Sequence, residues 1–178
     1  LCWGLTYPLT KIGIETIPPI TFICWRNFVG VACLLPILWW RGKRLPTDAA
    51  TWKVFGVQQL INGTFPFLLI TWAQLVVPAA LAVVLTSTTP IWAFLIAWGV
   101  TRHEPATATK LLGVLLGMAG AVLIIGVGAL QGLGHNLLAQ LAIVVAALSF
   151  AIGTVNGRNL RRYDPMVLTA GSVLFGGL

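Results

Sequence analysis

The sequence predicts an all-α fold, a polytopic bundle of transmembrane helices, and three observations predict it. Hydrophobic residues make up 58% of the 178 and charged residues only 8%, against roughly 25% charged in an ordinary soluble domain. A soluble chain of this length could not disperse so much apolar surface. The apolar residues fall in long runs, several of them near the ~20 residues that a helix needs to cross a bilayer, and the charges collect between the runs. Strands are excluded, because the runs are about twice as long as a membrane strand and show no alternation.

The first run, Leu1 to about Glu15, is short for a span. The chain opens on this run without a Met and stops inside another, so both ends are expected to be cut. The second run, Pro19 to Trp40, is interrupted only by Arg26 and Asn27, and Trp39-Trp40 forms an interfacial belt ahead of Arg41, Lys43 and Arg44. The third, about Trp52 to Val77, holds Gln58, Gln59, Asn62 and Thr64 around Gly63 and Pro66. The fourth covers about Ala79 to Val100, the fifth Leu111 to about Leu130 and the sixth about Leu137 to Gly157; a seventh starts near Pro165.

Loop charge tests this map independently. The loop after the second helix carries Arg41, Lys43, Arg44 and Lys53 against Asp48. The loop after the fourth carries Arg102 and Lys110 against Glu104, and the loop after the sixth carries Arg158, Arg161 and Arg162 against Asp164. The loops after the third and fifth carry no charged residue. Positive loops alternate with neutral ones, as the positive-inside rule requires, which puts the N-terminal side in the cytoplasm. The net charge of +7 therefore belongs to membrane topology and implies no nucleic-acid partner. Cys2, Cys24 and Cys33 lie in apolar runs, and neither His103 nor His135 stands at metal-ligand spacing from them, so no metal and no cofactor is expected.

Laying the first helix over the sixth at an offset of 147 pairs Leu1-Cys2-Trp3-Gly4-Leu5 with Leu148-Ser149-Phe150-Ala151-Ile152. It also pairs Lys11 with Arg158, Pro18 with Pro165, Phe28 with Phe175 and Gly30 with Gly177. The sixth helix stands five places after the first, an odd number, so the second copy enters the membrane from the opposite side. Inverted repeats of this kind build transporters with a midplane site between the halves.

Few residues inside the runs carry chemistry. Arg26 is the only charge well inside a helix, a placement costly enough to require a cavity or a partner. Its fork suits an anionic group such as a carboxylate, and a structural Arg bonded to helix-terminal carbonyls is the other reading. Lys11 either lines a vestibule or snorkels. The kink expected at Pro66 frees backbone acceptors beside Gln59, Asn62, Thr64 and Trp72. Thr86, Ser87, Thr88 and Thr89 ahead of Pro90 either meet a substrate or bond back to their own turn. Gly113, Gly117 and Gly120 in the fifth helix read as a close-packing stripe.

Taken in order and spacing, the motifs resemble the EamA-type permeases of the drug/metabolite transporter superfamily. The matching residues are Trp3-Gly4, Lys11, Pro18-Pro19 and Arg26, then Trp72-Ala73-Gln74-Leu75 to Ala79-Ala80, and Thr86-Ser87 with Pro90. Glu104, the three glycines of the fifth helix, Gly134, Leu148-Ser149-Phe150-Ala151 and Asp164-Pro165 complete the set. Phe150 stands where the second repeat often has Trp, and Gly134-His135-Asn136 replaces a more usual Gly-Asp. The resemblance implies ten helices in two inverted five-helix repeats. Residues 1–130 would form the first, lacking the start of its first helix, and 134–178 the truncated start of the second.

It further implies a non-enzymatic permease or exporter in the inner membrane, moving amino acids or related metabolites by alternating access. The expected partners are the lipid bilayer and a small-molecule substrate; the oligomeric state is not specified. The first, third, fourth and sixth helices are expected to line the cavity, with Arg26, Lys11, Trp3, Asn62, Gln59, Trp72, Thr86 and Ser87 as its candidate residues and the fifth helix as scaffold. A membrane enzyme or lipid flippase using Arg26 on an anionic group, and a non-transporting scaffold with a dry interior, are the rival expectations.

Overall fold

The structure is a computed structural model, and it describes residues 2–101, 108–125, 130, 133–160 and 162–177. Seven helical segments appear where seven are expected, and the described residues contain no strand. They are α1 (Cys2–Gly13), α2 (Pro19–Trp40), α3 (Ala49–Gln59) continued by a π-helical turn Leu60–Thr64 into α4 (Phe65–Ala73), and α5 (Ala79–Thr86) followed by α6 (Thr89–Ile96). Beyond a second π-helical turn come α7 (Ala108–Ile125), α8 (Leu137–Asn159) and α9 (Pro165–Gly177). Among the described residues four helical stretches are long and apolar enough to cross a membrane: Pro19–Trp40, Ala49–Ala73, Ala79–Gly99 and Leu137–Arg158.

Local chemistry sets the ends. Pro19 opens α2 and Pro165 opens α9, where a missing N–H costs nothing. The third helix begins three residues ahead of the expected Trp52, because Asp48 caps it: Oδ2 accepts from the Thr51 N–H at 2.7 Å. Those Thr51 hydrogen bonds hold the Asp48 carboxyl below its ordinary range. A carboxylate stabilised this way supports the fold above its unfolded pKa and loses that support as pH falls through the folded one. The gap in melting temperature between wild type and Asp48→Ala is accordingly expected to be full at neutral pH and to close on acidification. A gap that stays constant with pH would refute the charged cap.

The sixth segment is the axis of the bundle: α8 packs against α3, α4, α5 and α6, while α9 packs against α2 and α3. Small side chains allow this. Ala146, Ala147 and Ala151 are fully buried, and a Cβ on Gly153 would fall 2.6 Å from the Cβ of Asn62. Among the described residues nothing packs on the expected stripe at Gly113, Gly117 and Gly120: a Cβ built on each meets nothing within 4 Å. These glycines of α7 face open space because α7 touches only α5 and α6 closely, so the close approach lies in α8 instead. The outer surface is apolar, with Trp25, Phe28, Leu116, Leu123 and Leu138 all exposed. Trp39 and Trp40 are the most exposed at 86% and 89%, at the end of α2 where an interfacial belt belongs.

Two contacts fix the direction of the helices. At one end Lys43, after α2, forms an ion pair with Asp164, ahead of α9. The turns bearing Arg41–Arg44 and Arg158–Arg162 therefore lie at the same end, as the loop charges require. Lys43 is the main reason the Asp164 carboxyl sits below its ordinary range, and the Met166 and Val167 N–H groups add to it. At the other end Lys11, late in α1, donates to the carbonyl oxygens of Gln74 and Leu75, just past α4. So α1 ends where α4 ends, α8 ends where α3 begins, and the two run in opposite directions.

Candidate functional site: an uncharged cavity between four helices

Two prolines shape the site. In the third helix the Phe65 N–H reaches five residues back to the Leu60 carbonyl, which makes the turn π-helical. The next donor in that register would be Pro66, which has no N–H, so the Ile61 carbonyl is left open. Ser149 of α8 fills it, its hydroxyl donating to the Ile61 oxygen at 2.6 Å. In the fourth helix Pro90 similarly cannot donate to Thr86, and the Thr89 hydroxyl takes that carbonyl at 2.6 Å. Thr86, Ser87 and Thr88 bond back to Ala82, Val83 and Leu85 at 2.5, 2.8 and 2.7 Å. All four hydroxyls therefore follow the local account, and the helix breaks at Ser87–Thr88.

Between these distorted segments lies a cavity of about 440 Å³. Tyr7 of α1, Asn62 of the π-turn, Val83, Thr86, Ser87 and Thr89 of the fourth helix, and Phe150 and Thr154 of α8 form its wall. These are the first, third, fourth and sixth helices. The Tyr7 hydroxyl meets the Thr86 side chain, and Thr154 lies one turn beyond Phe150, donating to its carbonyl at 2.8 Å. No wall residue is charged. The hydroxyls keep acceptor lone pairs after bonding back, and Asn62 offers both an amide donor and an acceptor. Such a wall suits a hydrogen-bonding solute with an apolar part.

Of the eight expected residues, Asn62, Thr86 and Ser87 meet in this cavity. Gln59 lies in a smaller pocket of about 150 Å³ on the other side of Asn62, where its amide crowds Gly63 and Gly176. Arg26 is not on the wall. Its guanidinium carbon sits 3.6 Å from the centre of the Phe67 ring, and Phe67 stands edge-on to Phe150 at 5.5 Å. The arginine thus stands behind the wall against two rings in a cation–π contact, with its Nε buried and without a hydrogen-bond partner among the described residues. Lys11 is spent on the Gln74 and Leu75 carbonyls, a C-terminal helix cap and not a vestibule. Trp72 is 43% exposed and absent from the cavity wall. Its helical neighbours Ile70, Thr71, Ala73 and Gln74 take the buried face. The side chain of Trp3 lies outside the described residues.

Tyr7, Val83 and Thr154 were missed by sequence reasoning, and Phe150 was noted only in the repeat and in the family resemblance. Tyr7 carried a usable signal, a polar-tipped aromatic inside an apolar run; Thr154, one helical turn from Phe150, carried a weaker one.

Residues 1–126 match the EamA-like transporter family. The chain belongs to this family. Among curated relatives it is 28% identical over 179 residues to "Uncharacterized transporter YoaV" of Bacillus subtilis, covering 100% of this chain and 61% of that protein. It is 26% identical over 178 residues to an "Uncharacterized transporter" of Archaeoglobus fulgidus, covering 99% and 61%. It is 24% identical over 175 residues to "Uncharacterized inner membrane transporter YedA" of Escherichia coli K12, covering 97% and 54%. The chain thus spans 54 to 61% of the length of these relatives. No solved structure matches it. As an EamA-like chain with four spanning stretches, it is a multi-pass membrane protein.

Proposed function

We propose that the full-length protein is a secondary transporter, a permease or exporter of small metabolites such as amino acids or related compounds, working by alternating access. The observation that carries this reading is the uncharged cavity, with polar groups on its wall, lined by helices that run in opposite directions, α1 and α8. Residues 1–130 then act as the first five-helix repeat and 134–178 as the start of its inverted partner, with cargo held between them. The basic turns at Arg41–Arg44 and Arg158–Arg162 support a cytoplasmic assignment for their end, and hence for the N-terminus. The Escherichia coli relative supports the inner membrane. Among the described residues a metal-binding cluster is absent. A dry scaffold would lack the cavity, and a flippase or enzyme working through Arg26 would need that residue on the wall.

Reconstitution of the full-length protein into vesicles, with counterflow of a labelled amino-acid panel, tests the reading. At least one panel member is expected to exchange. Asn62→Leu is expected to slow that exchange by about threefold to tenfold, the worth of one or two hydrogen bonds to cargo. A panel indifferent to the protein would overturn the amino-acid assignment, and indifference extended to related polar metabolites would overturn transport.

A further inference from the structure

The transport reading leaves unused the region between the cavity and the Lys43 end. Asn62 lines the cavity on one side and, on the other, the smaller pocket between the third helix and α9. Gln58, Gln59, Thr169 and Ser172 complete the polar part of that pocket. Ser172 is 7% exposed, and its hydroxyl oxygen has no partner. Buried hydroxyls are ordinarily bonded, so this one has a hydrogen bond to offer a polar group in the pocket.

Above the pocket the seam is shut in layers. Gln58 donates to the Gly153 carbonyl at 3.0 Å and accepts from Asn156 at 2.9 Å, joining α3 to α8. Phe55 meets the Tyr163 ring edge-on at 5.4 Å, and a Cβ on Gly171 would fall 2.4 Å from the Phe55 ring. About 12 Å along α9 from Ser172, at 1.5 Å per residue, the Lys43–Asp164 ion pair ties the α2–α3 loop to the α8–α9 loop. Every layer joins the first repeat to α8 or α9, and none lies within one repeat. These are the contacts that must part when the halves rock.

We propose that this seam is the gate of the translocation path at the Arg41–Arg44 face. The small pocket is a transit subsite for uncharged hydrogen-bonding groups of the cargo, and Lys43–Asp164 is the latch that holds it shut. The proposal rests on the transport reading, and it names how that path closes. Ser172 then offers its hydroxyl to cargo in that subsite.

The test uses full-length protein carrying Ser172→Cys as its only cysteine, in vesicles that present the Arg41–Arg44 face outward. A membrane-impermeant maleimide reads opening without any knowledge of cargo. Labelling is expected to be slow with the latch intact. Lys43→Ala and Asp164→Asn, the latter keeping an oxygen for the α9 cap, are each expected to speed it by about two- to fivefold, the worth of a partly exposed ion pair. The double variant is expected to match the single ones, because the two side chains act as one unit. Unchanged rates in the single variants, or fully additive rates in the double, would overturn the latch. A metabolite panel that finds no cargo would sink transport while leaving the labelling result to report a seam that opens, so the two failures are distinguishable.

Discussion

Replacing Gly153 by leucine is expected to remove most of the folded full-length protein from detergent extracts. The reason is geometric. A Cβ at this position would lie 2.6 Å from the Asn62 Cβ and 2.7 Å from its Oδ1. The nearest atom belongs to the root of a side chain on a π-turn held by Ser149, so it cannot swing aside as the tip of a long side chain would. Adding methylenes to a packed contact costs about 1–3 kcal/mol where neighbours can shift; here α8 itself would have to move off the third helix. That movement would also strain the Gln58 bond to the Gly153 carbonyl. Gly153→Ala serves as the graded control, with a lowered melting temperature but a recoverable monodisperse peak. Size-exclusion profiles of the leucine variant that match wild type would refute the contact.

Gln58→Leu is the second large effect expected, and its cause is chemical where that of Gly153 is steric. Gln58 is 8% exposed and serves α8 twice, as donor to Gly153 and acceptor from Asn156. Leucine keeps the approximate volume, leaves the Asn156 amide without its acceptor and removes the second donor to the Gly153 carbonyl, which keeps its bond within α8. Orphaning a buried group costs about 1–3 kcal/mol in soluble proteins, and interhelical hydrogen bonds in a bilayer are worth less, averaging about 0.6 kcal/mol and reaching about 1.7. Thermal unfolding in nanodiscs should show the loss. Gln58→Leu with Asn156→Leu should recover part of it, because removing both partners leaves fewer orphans. A double variant less stable than the single would contradict the pairing.

The helices were legible because the bilayer imposes length and polarity on each run separately, so Pro19–Trp40 can be read without knowing what it touches. Asn62, Thr86 and Ser87 were legible for a related reason. Polar groups beside Pro66 and Pro90 mark broken backbone, and broken backbone at membrane depth lines cavities. The contacts of Arg26 and Lys11 were not legible, because a charge inside an apolar run signals a need for a partner without naming the partner. Phe67, and the carbonyls of Gln74 and Leu75, are 41, 63 and 64 residues away in sequence. The glycines of α7 meet no neighbour among the described residues. Spacing shows that a helix could be approached closely, and only the fold decides that α8, with alanines in that role, is the one approached.

The two proline bends differ in who repairs them. The fourth helix mends its own break, with Thr89 reaching the carbonyl that Pro90 abandons three residues before Thr89. The third helix borrows its repair from Ser149, on a different helix and 88 residues away. If α8 withdraws, the Ile61 oxygen is stranded in a medium that offers nothing to bind it. Parting these two helices therefore demands that water follow into the gap, or that the third helix rewind as they separate. A bend maintained by a neighbour cannot outlast that neighbour's departure.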